Sequence, residues 1–567
     1  MTDAAYTIPG AVEHAAARWP DAIALEERPA GDPDGALLSL SFSQLWERCL
    51  DAARAFIAAG LEPGDRVAIW APNRHEWILA AVGLHCVGGV LVPINTRFKP
   101  RETAYVLARS RARLLVSVGR FLGTDHLAAL HAELGLATGD APGVLAGLPE
   151  LRRVIALPSV ASATQRAATP AAASPDAAAP AWCTAFDAFL RAGQGVPRDA
   201  ALARLRELKA EDVSDMLFTS GTTGHPKGVM TQHAQNLRAF SSWSDVVGLK
   251  AGDRYLIVNP FFHSFGYKAG WLACFIRGAT ILPHPVFEPA QVLARIAADR
   301  VTVLPGPPTL YQAILAQPDF ASYDVSSLRL AVTGAASIPV ELIHRMKDVL
   351  GLETVITGYG LTETCGVVAM CRFDDDVDTI ATTSGRAIDG VEMRTVDRAG
   401  AAVSPGEPGE IVVRGYNVMQ GYFEDEAATR EAIDSAGWLH TGDIGVIDAR
   451  GYVRVTDRQK DMFIMGGFNC YPAEIENQIL AHPDVHQVAV IGVPDQRMGE
   501  VGMAFVVPRP GAALDGAALS TWCRAQLANY KVPRHIQLVA ALPINATGKV
   551  MKYLLREQAS QRLAAEP

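Results

Sequence analysis

Between Met216 and Met230 the chain reads Met-Leu-Phe-Thr-Ser-Gly-Thr-Thr-Gly-His-Pro-Lys-Gly-Val-Met. The apolar run Met216–Phe218 has the pattern of a strand end. It leads directly into Thr219, Ser220, Gly221, Thr222, Thr223 and Gly224 and closes on Lys227 and Gly228. Glycines let backbone N–H groups approach an anion closely, hydroxyls donate hydrogen bonds, and a lysine supplies compensating charge. Polyphosphate is the ligand this composition suits best. The P-loop pattern is nevertheless not met: Pro226 stands where its second glycine belongs, and Lys227 is followed by Gly228 rather than a hydroxyl residue that could hold magnesium. An ordinary polar turn after a strand is the alternative, although turns seldom combine so many hydroxyls with a lysine.

Other stretches carry candidate chemistry further on. Asn259-Pro-Phe-Phe-His-Ser-Phe-Gly-Tyr-Lys268 places His263 among aromatic residues on a Gly/Pro-bounded segment, which suits either a pocket wall or a packed aromatic cluster. Two expected strands, Arg329–Thr333 and Thr354–Thr357, run into Gly334-Ala335-Ala336 and Gly358-Tyr359-Gly360-Leu361-Thr362-Glu363. Strand ends rich in glycine are where doubly wound sheets bind ligands, and bare backbone admits a flat ring. Asp443 precedes a strand expected at Ile444–Ile447, either as a turn residue or as an acceptor for vicinal hydroxyls. Asp457-Arg-Gln-Lys-Asp461 sets five polar residues between apolar segments, and Lys549 ends the turn Asn545-Ala-Thr-Gly-Lys549.

The elements needed to position these residues follow from periodicity. Helical spacing covers Leu45–Ala59, His75–Val87 and His233–Ser242, with buried strands at Arg66–Trp70, Gly88–Pro93 and Tyr255–Val258. Pro93–Phe98 reads as a plain loop. Such alternation implies an α/β fold with doubly wound parallel sheets. After residue 457 a helix at Pro472–Ala481 and strands at Val488–Val493 and Gly502–Val507 give a compact α+β pattern. Residues 158–180 are rich in alanine and proline, with almost no bulky side chain to bury, and read as a surface insertion.

A chain of 567 residues exceeds one hydrophobic core and divides into domains. Its net charge of −9 argues against nucleic-acid binding and against a basic membrane surface. No apolar run is long enough to span a bilayer, and the first residues lack a secretory pattern. Eight dispersed cysteines contain no Cys-x-x-Cys pair, as expected of a reduced cytoplasmic protein without a structural metal.

Taken in order, Thr219–Gly228, Tyr359–Glu363, Gly415–Tyr422, Thr441–Asp443, Asp457–Asp461 and Asn545–Lys549 resemble the adenylate-forming superfamily of acyl-CoA synthetases, firefly luciferase and peptide-synthetase adenylation domains. The resemblance implies a large N-terminal AMP-binding domain over 1–456 and a small mobile domain over 457–567, hinged at Lys460. It implies two half-reactions, in which a carboxylate attacks the α-phosphate of MgATP and the CoA thiol then attacks the acyl-adenylate. Thr219, Ser220, Gly221, Thr222, Thr223, Gly224 and Lys227 would hold the β- and γ-phosphates, Thr362 the α-phosphate and Glu363 the Mg²⁺ ion. Tyr359, between Gly358 and Gly360, would stack on adenine beside Gly334, Ala335 and Ala336, with Asp443 and Arg458 on the ribose. Lys549 would bridge the carboxylate and α-phosphate, then give way to Gly466, Gly467 and Phe468 along the CoA path. His263 matches the aromatic position that moves to admit the thiol.

Asn259–Gly270, Leu304–Thr309 and Ala331–Ala336 are similar to bacterial CoA ligases of steroid catabolism, which activate the propanoate side chain of an indanedione (HIP). The partners implied are a small carboxylate, ATP and CoA, and the sequence allows a homodimer. Two rivals stand beside this reading: a ligase of the same mechanism for aryl or medium-chain fatty acids, and a nucleotide- or CoA-binding protein without turnover. The second is disfavoured because Lys549 and Glu363 are both present. A luciferase-type or carrier-loading role fits less well, since no carrier-domain serine motif follows Lys549.

Overall fold

The computed structural model describes residues 6–28, 37–136, 148–158, 179–219, 226–334, 338, 340–397, 399–458, 461–465, 468–495, 498–527, 529–544 and 549–563. The greater part of the Ala/Pro-rich insertion lies outside them.

Two sheets dominate the N-terminal part. In the first, Val213–Thr219, Val90–Pro93, Arg66–Trp70, Leu114–Val118, Arg153–Leu157 and Thr184–Ala185 lie side by side and parallel. Lys227–Gln232 folds back antiparallel on Val213–Thr219, and Gly421–Tyr422 adds the edge. The near-continuous apolar runs at Arg66–Trp70 and Val90–Pro93 suit strands covered on both faces. In the second sheet Leu38–Ser41, Ile23–Glu27, Thr280–Pro283 and Arg254–Ile257 adjoin. Single bridges through Val303 connect Tyr255 to Leu330, and so to Leu330–Gly334, Thr354–Tyr359, Ala369–Met370 and Arg386–Ala387.

Helix Phe42–Ala58 opens with a capping box, in which Ser41 Oγ accepts from Gln44 N–H and Gln44 Oε1 accepts from Ser41 N–H. Its neighbour His75–Cys86 is buried from Glu76 onward, as a helix enclosed within the core must be. A Cβ on Gly83 would meet Ala52 Cβ at 2.6 Å and Ala53 N at 2.9 Å, so the two helices touch almost backbone to backbone.

An antiparallel sheet of Val391–Val396, Pro408–Gly415, Leu439–Ile447 and Val453–Arg458 follows. The C-terminal part then builds a separate core around Phe463, Ile475, Ile479, Val490 and Phe505. Its sheet pairs Val485–Asp495 with Gly499–Pro508, adds Phe463–Met465 and Phe468–Cys470, and takes His535–Leu538 in parallel. Helices Pro472–Leu480, Gly516–Gln526 and Lys552–Leu563 accompany this sheet, which is the α+β pattern expected.

Several histidines are enclosed by this packing. Burial pushes the pKa of His85 and of His126 down to about 4, that of His284 down to about 3, and that of His233 well below the ordinary 6.5. These rings hold protons less readily folded than unfolded, so below about pH 6.5 the unfolded chain binds more protons and stability must fall with pH. Melting curves between pH 7 and 5, above the main carboxylate range, are expected to show Tm declining steadily. A flat or rising Tm would contradict these environments.

Candidate active site

The hairpin Val213–Thr219/Lys227–Gln232 is in register from Met216↔Met230 to Thr219↔Lys227, so Lys227 already lies in a strand rather than in the loop. Ser220, Gly221, Thr222, Thr223 and Gly224, at the tip, lie outside the described residues. Gly228 is fixed by packing, because a Cβ there would meet Met216 Sδ at 2.8 Å. Phe423 N–H bonds to Gly228 O (2.8 Å) and Gln420 N–H to Met230 O (3.0 Å), stitching the Gly415–Tyr422 motif to the hairpin. Lys227 Nζ then stands 5.0 Å from the Tyr422 ring centroid, and Tyr422 Oη donates to Glu363 Oε1 at 3.1 Å. Burial and the Glu363 carboxylate push the Tyr422 phenol upward, so it stays a donor. Three separate sequence stretches thus meet around Glu363.

The strand ends Leu330–Gly334 and Thr354–Tyr359 run parallel, with Gly334 opposite Gly358. A Cβ on Gly334 would meet Gly358 O at 2.7 Å, so this close approach demands glycine. Ala335 and Ala336 lie outside the described residues. After Tyr359 the chain turns tightly: a Cβ on Gly360 would strike Gly366 O at 2.3 Å. Thr362 and Glu363 occupy one 3₁₀ turn, followed by Cys365 at φ 56° and Gly366 at φ 106°. Tyr359 Oη donates to Asp443 Oδ2 at 2.6 Å, joining the expected ring-stacking residue to the expected ribose ligand. Asp443 is buried, opposite Arg458 in the register of strands Leu439–Ile447 and Val453–Arg458. The strand expected from Ile444 therefore begins five residues earlier, at Leu439. Its polar residues are satisfied by the neighbouring strand, His440 by Glu410 and Thr441 by Ile411 O.

The aromatic segment is held by Asn73, whose Nδ2 donates to Ile257 O and Asn259 O and whose Oδ1 accepts from Phe261 N–H. Nothing in the sequence around Asn73 marks this role. The segment is less irregular than expected: Ser264–Gly266 and Tyr267–Leu272 are helical, the latter broken by a kink at Gly270. His263 Nδ1 accepts from Phe265 N–H at 3.3 Å. The residue is exposed, yet surrounding protein, the Lys549 charge and the Lys268 charge together push its pKa down to about 4. Lys549 of the C-terminal part is therefore electrostatically coupled to the His263 segment, and His263 is neutral near pH 7. The Ile544↔Val550 bridge closes the turn that carries Lys549. Phe468 pairs across from Met465, while Lys460, Gly466 and Gly467 lie outside the described residues.

This arrangement can hold an anionic chain at the hairpin and Glu363, a flat ring and hydroxyls at Tyr359 and Asp443, and a reacting group near His263 and Lys549. Comparison with known proteins bears on what that ligand is. Residues 12–423 match the family model of AMP-binding enzymes, and residues 474–549 that of the AMP-binding enzyme C-terminal domain. A Rhodococcus jostii (strain RHA1) protein named as a 7a-methyl-1,5-dioxo-octahydro-1H-inden-4-yl propanoyl:CoA ligase is 45% identical over 98% of this chain and 100% of its own length. A Mycobacterium tuberculosis protein of the same name is 46% identical over 97% of this chain and 98% of its own. The crystal structure of the anthranilate CoA ligase AuaEII in complex with anthranoyl-AMP superposes with a TM-score of 0.82 at 26% identity, covering 98% of each chain. The chain belongs to the AMP-binding enzyme family.

Proposed function

We propose that the protein is an ATP-dependent, AMP-forming acid–CoA ligase, and that its acid is the propanoate side chain of a methyl-indanedione. The observation that carries this reading is the convergence of Lys227, Tyr422 and Glu363 at one end of a site and of Tyr359 and Asp443 at the other, on a chain similar along its whole length to ligases named for that acid.

In the first half-reaction the carboxylate attacks the α-phosphorus and pyrophosphate leaves. Such a reaction depends on placement and on neutralising developing charge. Residues 219–227 hold the leaving phosphates, Thr362 the α-phosphate, Tyr359 the adenine and Asp443 with Arg458 the ribose. Glu363 suits Mg²⁺, because a hard cation takes oxygen ligands and Tyr422 fixes this carboxylate; the ion supplies charge to the phosphates when bound. Lys549 bridges the carboxylate and the α-phosphate. In the second half-reaction the C-terminal domain turns about Lys460, Lys549 withdraws, and the CoA thiol arrives past Gly466, Gly467 and Phe468. A neutral His263 sets no positive charge of its own in that path.

Incubation with MgATP, the indanedione propanoate and hydroxylamine, without CoA, is expected to yield a hydroxamate, AMP and pyrophosphate. Release of ADP, or no nucleotide product, would contradict the adenylate route.

A further inference from the structure

Beneath the candidate site lies a charged pair that none of the roles above employs. Lys268 Nζ and Asp215 Oδ1 are 2.9 Å apart, and both side chains are 0% exposed. The carboxylate is saturated: Oδ1 also accepts from Thr231 Oγ1 (2.7 Å), and Oδ2 accepts from Ser214 Oγ (2.8 Å) and Asn236 Nδ2 (2.7 Å). Lys268 Nζ donates in addition to Thr231 Oγ1 at 2.9 Å. Four polar contacts on one aspartate match the lone pairs it has to offer.

The position of this pair matters more than its strength. Asp215 lies in the strand that leads to Thr219, and Thr231 lies in the strand that returns from Lys227. Lys268 belongs to the helical stretch that follows His263 and is kinked at Gly270. A Cβ on Gly366 would meet Ser264 Cβ at 2.7 Å, so the turn bearing Thr362 and Glu363 rests on the same segment. The buried ion pair therefore ties the phosphate hairpin to the His263 segment, on which the Glu363 turn rests. Burying two charges is a poor route to stability, since matched apolar residues do as well or better. What a saturated pair supplies is fixed relative geometry.

We propose that Lys268 and Asp215 are positioning residues for the adenylate-forming step, fixing the phosphate-binding hairpin relative to the His263 and Glu363 segments. The proposal rests on the ligase reading above.

The test uses the full-length chain with Lys268→Met, Asp215→Asn and the double variant. Each single change strands a buried partner and is expected to lower Tm by about 4 °C. The double change removes both charges. Asn236 Oδ1, which has no partner among the described residues, can then accept from the new amide after a flip, so Tm should return to within about 1 °C of the parent. Pyrophosphate release with MgATP is nevertheless expected to stay about 30-fold down in kcat/KM for ATP, while thioester formation from supplied acyl-adenylate remains within about 3-fold. A double variant that recovers both Tm and pyrophosphate release would overturn the proposal, leaving the pair as ordinary core. Should the double variant not fold, Thr231→Val offers a second readout. It removes the hydroxyl shared by both charges and is expected to raise KM for ATP about 5-fold with little change in thioester formation. An unchanged KM would overturn the proposal. A parent chain that releases no pyrophosphate with any carboxylate would instead overturn the ligase reading, and the proposal with it.

Discussion

Replacing Lys549 with alanine is expected to lower acyl-adenylate formation by about 10³-fold while leaving thioester formation from supplied acyl-adenylate within about 3-fold of the parent. The asymmetry follows from where the lysine is proposed to act. In the first step two anions, the carboxylate and the α-phosphate, must be brought together. A mobile ammonium between them offsets a repulsion that would otherwise appear in full in a partly desolvated site. In the second step the nucleophile is a thiol, the adenylate is already formed, and the lysine is proposed to be elsewhere. Its influence on His263 is consistent with its reaching the first-step position. Pyrophosphate release and chromatographic detection of the CoA thioester separate the two steps. Equal losses in both would contradict the assignment and point to a folding defect of the turn closed by the Ile544↔Val550 bridge.

Glu363→Gln is expected to reduce kcat/KM for MgATP by about 10²-fold with a much smaller effect on acyl-adenylate binding. The substitution keeps an oxygen to accept from Tyr422 Oη and keeps the volume of the side chain, so the contact around Lys227 survives. Only the negative charge is lost, and with it the affinity for a hard divalent cation proposed for this position. The variant should demand higher magnesium to reach its own maximum rate. A variant with unchanged magnesium dependence would remove Glu363 from the metal site while leaving its structural bond to Tyr422 in place.

Much of this architecture was legible from residue patterns because the relevant signals are local. The apolar run Arg66–Trp70 is a strand over those same residues, since β-branched and aromatic side chains fill both faces. Helix His75–Cys86 stops one residue short of its expected end, where Val87 leaves helical geometry and Gly88 turns at φ 79°. Two departures have a common cause. The strand at Leu439–Ile447 opens with polar His440, Thr441 and Asp443, which read as a turn until Glu410 and Ile411 O are supplied by a strand some thirty residues earlier. The segment after His263 reads as irregular because Gly266 and Gly270 interrupt it; with Tyr267, Trp271 and Leu272 buried it is helical on either side of Gly270, where the helix kinks.

The site itself was legible as a set of motifs but not as contacts. The bonds of Tyr422 to Glu363 and of Tyr359 to Asp443 join residues distant in sequence, and neither spacing nor periodicity encodes them. Lys268 and Asp215 were the least visible. A lysine after a tyrosine and an aspartate beside a serine are ordinary surface residues until the fold places each in the other's reach with no water around them.

One measurement addresses substrate and reaction together: CoA-dependent pyrophosphate release across a panel of carboxylates at matched MgATP. The highest kcat/KM is expected for the indanedione propanoate, exceeding medium-chain and long-chain fatty acids and cinnamic acids by about 10²-fold or more, as expected when a rigid bicyclic acid fills a pocket shaped to it. Preference for a long-chain fatty acid, with the indanedione propanoate turned over poorly or not at all, would contradict it.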